Sequence, residues 1–140
     1  MYTALKMLLG IDYGKKRIGL ALGEKYPKPF LVLDNTSLNE ISERIAKICL
    51  ENQIEKIVMG MPENRGQSSE EVISQIKKLS SRLFEITNLK VVYEPEAYTS
   101  TQAESFLKDH HKYDRNNKGN IDAMAATLLL DQHINQKGEE

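Results

Sequence analysis

Apolar positions fall into short runs in the first third of the chain and into helical stripes after it. Met7-Leu8-Leu9-Gly10-Ile11 is an unbroken apolar run that predicts a buried strand over 7–12, closed by the carboxylate of Asp12. Arg17 to Leu22 predicts a second strand, and Gly14-Lys15-Lys16 between them is short enough for a hairpin turn. A third strand over Pro29 to Leu33 begins after Pro27, which suits an edge. Ser37-x-x-Glu40 is a capping box, followed by Ile41, Ile45 and Ile48 at helical spacing. Glu55 to Met61 predicts a fourth strand ended by Pro62, and Glu63 to Gln67 a polar loop. Ser68-x-x-Glu71 opens a second helix with Val72, Ile76, Leu79 and Leu83 on one face. Lys90 to Tyr93 is the fifth predicted strand, and Thr99-x-x-Gln102 caps a helix carrying Ala103, Phe106 and Leu107. His110 to Lys118 is polar and reads as a surface loop, and a last helix starts at Gly119 or Asn120.

The order β-β-β-α-β-α-β-α-α predicts an α/β fold with a five-stranded mixed sheet, an antiparallel meander first and helix-joined parallel strands after it. Ligands in such sheets bind beyond the carboxyl ends of the strands. Asp12 ends the first strand, the 62–67 loop follows the fourth, and Glu96 follows the fifth, so all three are expected at one edge. The 140 residues fit one domain over 1–140, with a disordered tail from about 136. A domain of that size buries roughly 70% of its unfolded surface and needs no staple. With a formal net charge of −1 there is no global basic field, so nucleic-acid binding would need a local patch. The lone Cys49 in an apolar helical stretch reads as a small core residue in a reducing compartment. No run reaches the roughly 18 apolar residues of a membrane span. Met1 to Lys6 is too short and polar for a secretory signal, and a cytoplasmic protein is expected.

Three acids carry the candidate chemistry. A carboxylate ending a buried strand is costly unless it is paired, hydrogen-bonded or metal-bound. Asp12 is such a group, Glu96 follows the apolar Val91-Val92 strand, and Asp122 opens an Ala-rich helix. Converging carboxylates from distant segments suit a divalent ion and phosphoryl-transfer chemistry. Each has a plainer reading: Asp12 as a turn residue, Asp122 as a first-turn acid on the helix dipole, Thr99 as an N-cap. The adjacent His110 and His111 read as surface residues, and His133 as exposed on the last helix.

Leu9-Gly-Ile-Asp-Tyr-Gly-Lys-Lys-Arg-Ile-Gly-Leu-Ala21 resembles the opening motif of the YqgF/RuvX family. Ile57-Val-Met-Gly-Met-Pro62 resembles the family's second motif, and Lys118-Gly-Asn-Ile-Asp-Ala-Met-Ala-Ala126 its C-terminal one. The resemblance covers nearly the whole chain in the right order. It implies an RNase H-like three-layer fold and a metal-dependent nuclease. Such proteins are described as pre-16S rRNA nucleases and as Holliday junction resolvases. One motif departs: where the family shows Asp-Glu-Arg-Leu-Thr-Thr, this chain has Pro95-Glu96-Ala97-Tyr98-Thr99-Ser100. The arginine fork that would grip a phosphate is replaced by Ala97. Glu94 faces the same way as Glu96 in an extended segment, so either is a possible ligand, with Glu96 favoured because its register needs no gap.

The resemblance implies Asp12, Glu96 and Asp122 as catalytic ligands of Mg²⁺ or Mn²⁺, with two ions and Asp12 touching both. Gly14 would let backbone approach a phosphate, and Lys15, Lys16, Arg17 and Arg65 would position nucleic-acid backbone. Thr99 and Ser100 would hydrogen-bond phosphate at a helix N-terminus. The implied partners are precursor rRNA or ribosomal particles, with branched DNA as the alternative. Two further classes stay open. One is a binding module with weakened catalysis, motivated by Ala97. The other is an actin-like ATPase, disfavoured because 140 residues supply one lobe. A resolvase would act as a C2 dimer, but no apolar stripe announces an interface, and a monomer is expected.

Overall fold

The strands form where side chains can be buried on both faces of one sheet. In β1 (Leu8–Tyr13) and β2 (Arg17–Gly23), alternate residues go to opposite sides, as the pleat requires. Leu9, Ile11, Ile18 and Leu20 enter the larger core on one face, while Leu8 and Ala21 enter a smaller one on the other. The computed structural model describes residues 6–62, 67–96 and 118–138. β3 (Lys28–Asp34), α1 (Leu38–Glu51), β4 (Lys56–Met61), α2 (Gln67–Thr87), β5 (Lys90–Pro95) and α3 (Lys118–Gly138) complete the described elements.

The sheet order is β3-β2-β1-β4-β5. β1–β2 and β2–β3 are antiparallel, whereas β1–β4 and β4–β5 are parallel. This is the mixed five-stranded α/β sheet predicted from the element order. α1 and α2 cover the face built from Leu9, Ile11, Ile57 and Met59 through Ile41, Ile45, Ile76 and Leu79. α3 covers the opposite face, where Ala126 and Leu130 meet Leu8, Ala21 and Val58. Three layers result.

Local chemistry sets the boundaries. Ser37 caps α1, its Oγ accepting from Glu40 N at 3.2 Å. The return half of the capping box is different: Glu40 Oε2 accepts from Thr36 Oγ1 at 3.0 Å. α2 starts at Gln67, which puts Ser68 inside its first turn rather than at the cap. α3 begins at Lys118, just before the expected Gly119 or Asn120, and continues to Gly138, past the position where a disordered tail was expected. β3 runs one residue further at each end than expected and lies at the sheet edge, where Pro29 is tolerated. The capped helix expected from Thr99 and the 110–118 loop up to 117 lie outside the described residues.

Of two expectations about single residues, one holds and one is overturned. Cys49 is buried as expected, and burial pushes its thiol up to about 11, so it is an unreactive core group. His133 is only 5% exposed, not a surface residue. It stands four residues after Leu129 and three after Leu130, on the stripe of α3 that faces the sheet, and Glu94 meets it there.

Candidate active site

Three small residues let α3 lie close over the sheet. Gly10, Gly19 and Gly60 all face it. A Cβ on Gly19 would overlap the carbonyl of Asp122 and stand 2.9 Å from Ala123 N. One on Gly10 would meet Ala126 O at 3.0 Å and Leu130 Cβ at 3.1 Å, and one on Gly60 would meet Glu96 Oε1 at 3.0 Å. Gly19 is the direct cross-strand partner of Asp12. The close approach therefore delivers the first turns of α3, with Asp122, to the end of β1.

Asp12 and Glu96 come together at the carboxyl ends of β1 and β5. Asp12 is half-buried, and its pKa is raised well above the ordinary 3.8. Burial is the largest cause, followed by a hydrogen bond to Glu96, the charge of Glu96 and then the charge of Asp122. Glu96 is held from behind, its N–H donating to Met61 O at 3.2 Å, which extends the β4–β5 pairing past Pro95. Asp122 accepts from Arg17 Nε at 2.7 Å, a part-buried ion pair 105 positions apart in sequence.

The hairpin beside the acids is pinned from β3. Asn35 Nδ2 donates to Gly14 O at 2.8 Å, and Asn35 N donates to Lys16 O at 2.9 Å. Lys15 and Lys16 are exposed at its tip. A Cβ on Gly14 would stand 2.5 Å from Arg17 O, so the tight turn itself requires this glycine. Asn35→Ala is expected to cost about 1 kcal/mol, read as a lower urea midpoint with an unchanged m-value. Nothing in the pattern of apolar residues pointed to Asn35, because its partners are backbone carbonyls of the distant β1–β2 turn.

Glu94, the alternative ligand, sits deeper. It is 5% exposed, accepts from Gln132 Nε2 at 2.8 Å, and its other oxygen lies 3.0 Å from His133 Nδ1. It is absent from the groups that perturb Asp12. Arg65, Thr99 and Ser100, like Ala97, lie outside the described residues.

The acids suit a hard cation in their chemistry. Carboxylate oxygens are the donors that Mg²⁺ and Mn²⁺ take, and the crowded negative charge that raises Asp12 is what a cation would relieve. Among the described residues, no three His, Cys, Asp or Glu side chains stand close enough to hold one ion as they are. Arg17 engages the Asp122 carboxylate. Asp12 and Glu96 are therefore the pair that would hold a cation, with Asp122 beside them on the guanidinium.

A family model described as "RuvX: Holliday junction resolvase" matches residues 6–136. The chain belongs to this family. A Chlamydia felis relative is 37% identical over 135 residues, covering 91% of this chain and 89% of its own, and is named "Putative pre-16S rRNA nuclease". A relative of the same name from Crocosphaera subtropica is 30% identical over 132 residues, covering 92% of both chains. Among solved structures, Thermus thermophilus RuvC in complex with a Holliday junction superposes with a TM-score of 0.64 at 12% identity, covering 95% of this chain and 96% of that one. The fowlpox virus resolvase in complex with junction DNA gives 0.59 at 13% identity, covering 94% and 98%. At such identities these two structures bear on the fold, and the RuvX chain has theirs.

Proposed function

We propose that this RuvX-family chain is a divalent-metal-dependent endonuclease that hydrolyses phosphodiester bonds in the 5′-end maturation of pre-16S ribosomal RNA in the cytoplasm. The observation that carries this reading is Asp12 placed under the influence of both Glu96 and Asp122 at the carboxyl edge of the sheet. The name shared by the relatives supports the substrate. Among the described residues no helix is long and apolar enough to cross a membrane.

The reaction adds water across a P–O bond: the water oxygen bonds to phosphorus, and the leaving oxygen departs with a proton. One or two Mg²⁺ or Mn²⁺ ions would supply Lewis-acid stabilisation and an activated water. The chain's own part is to bind and orient. Asp12 and Glu96 offer oxygen ligands, Asp122 adds negative charge beside them, and Arg17 balances that charge. Lys15 and Lys16, exposed on the Asn35-pinned turn, would position a phosphate backbone.

The test is cleavage of 5′-extended 16S precursor RNA beside a four-way DNA junction, with Mg²⁺ and Mn²⁺, by wild type and Asp12→Asn. Precursor cleavage that the variant loses supports the reading. Cleavage of the junction alone moves the function to branched DNA, the second reading, which the family description favours. Equal cleavage by both proteins places the active site elsewhere. The double change Lys15→Ala, Lys16→Ala is expected to raise KM and leave kcat nearly unchanged. It should also flatten the dependence of log KM on log salt by roughly 0.7–0.9 per lysine.

A further inference from the structure

Glu96 is the only one of the three acids placed by a segment that follows a strand rather than by a strand or a helix. What fixes it is therefore a question of its own. On one side β4 holds the segment, through Glu96 N to Met61 O at 3.2 Å. On the other side stands α3. Gln132 Nε2 donates to Glu94 Oε1 at 2.8 Å and also to Pro95 O at 3.2 Å. The next residue of α3, His133, meets the second oxygen of Glu94 at 3.0 Å. Both carboxylate oxygens of Glu94 and the carbonyl before Glu96 are thus taken by two consecutive residues of one helix.

The same helix carries Asp122, ten positions before Gln132, or about 15 Å along a rigid axis. An element that bears one acid at its start and grips the residues just before another acid sets the distance between the two. Ordinary core packing does not explain this cluster. An apolar pair of the same size would fill the space between β5 and α3 without burying a carboxylate, whereas Glu94 and His133 are each only 5% exposed. Gln132 works through its amide nitrogen: its Oε1 is buried without a hydrogen-bond partner among the described residues.

We propose that Gln132, with Glu94 as its anchor, is a positioning residue that holds Glu96 in register with Asp12 and Asp122 for cation binding. The inference rests on the reading of these acids as a metal site. Groups that orient metal ligands commonly change affinity or rate by about 10–100-fold when removed.

The full chain is tested as wild type, Gln132→Met, Gln132→Lys and Asp12→Asn. Mn²⁺ binding is followed by calorimetry, precursor RNA cleavage by kcat and KM, and folding by thermal unfolding. Gln132→Met keeps the volume and removes the donor. It is expected to weaken Mn²⁺ binding and lower kcat, each by roughly tenfold or more, with KM for RNA within twofold. Gln132→Lys restores a donor and is expected to recover most of both. The inference is overturned if Gln132→Met alters only the unfolding temperature while Mn²⁺ affinity and kcat stay at wild-type values below it. It is equally overturned if Gln132→Lys behaves as Gln132→Met does. If Gln132→Met does not fold, Gln132→Lys decides, because wild-type Mn²⁺ affinity in that variant supports the donor role and lost affinity refutes it. Failure of the underlying reading looks different: Asp12→Asn then binds Mn²⁺ and cuts RNA as wild type does, and the inference falls with it.

Discussion

Asp12→Asn is expected to abolish cleavage and, in the absence of metal, to make the protein more stable. On the proposed reading, the loss follows from removing the acid that would be the central ligand. Several kcal/mol of transition-state stabilisation are at stake, so the rate should fall by roughly 10³-fold or more. The gain follows from the cost of ionising Asp12 where burial, Glu96 and Asp122 all oppose it. Its folded-state pKa lies above the ordinary 3.8, so the native chain holds more protons than the unfolded one between those two values. Wild-type stability is therefore penalised progressively as pH rises through that interval, and the penalty is complete above it. Below 3.8 Asp12 is protonated in both states and the penalty vanishes. Asparagine is neutral throughout and can still hydrogen-bond to Glu96. Thermal unfolding of the two metal-free proteins should thus coincide in acid and diverge towards neutral pH, with the variant higher. Each 1 kcal/mol corresponds to roughly 3–5 °C in a chain of this size. Added Mn²⁺ should raise the wild-type midpoint and close the gap, since a ligand that binds only the native state stabilises it by mass action. A gap that ignores pH, or a less stable variant at neutral pH, would contradict this account.

Gly19→Ala is expected to be the most damaging single-methyl change among the described sheet glycines. The new Cβ would stand inside contact distance of the Asp122 carbonyl and 2.9 Å from Ala123 N, and both are backbone. No rotamer change relieves such a clash, so α3 must move away from β2. Overpacking typically costs 1–3 kcal/mol, and with backbone on both sides about 3 kcal/mol is expected, or roughly 10 °C in midpoint. Activity should fall by more than the folded fraction does, because Asp122 moves with the helix. A misplacement near 1 Å can cost on the order of 10²-fold. Gly10→Ala supplies the comparison: its nearest neighbours are at 3.0 and 3.1 Å and one is a side chain, so it should be milder on both counts. The reverse order would mean that α3 is not held against β2 at Gly19.

What could be read from the sequence divides along a physical line. Strands buried on both faces announce themselves: Leu9, Ile11, Ile18 and Leu20 are apolar because two helices cover them, and Ala21 is small because α3 does. The helices α1 and α2 were legible from their 3.6-residue stripes. The expectation that Asp12, the 62–67 loop and Glu96 share an edge follows from strand order alone, and β1, β4 and β5 are indeed parallel neighbours. Polar side chains whose partners lie on another element were not legible. Arg17, expected to position nucleic-acid backbone, also meets Asp122, which no pattern in the sequence reveals. His133 was expected at the surface, although its spacing from Leu129 and Leu130 already placed it on the buried stripe. Gln132 and Asn35 have no periodicity to reveal them, because one hydrogen bond to a distant carbonyl leaves no trace in the neighbouring residues.

The covering of the second sheet face by α3 also has a consequence for the order in which the ribosome makes the chain. β1 through β5 emerge before α3, and their meander and crossovers can pair without it. Until α3 emerges, Leu8, Ala21 and Val58 lack Ala126 and Leu130, and the edge carries Asp12 and Glu96 without Asp122. A growing chain thus holds two of the three acids on a half-covered sheet, and completing the apolar face and completing the acid cluster are the same event. On the proposed reading, the polypeptide gains the means to cut only as it gains α3.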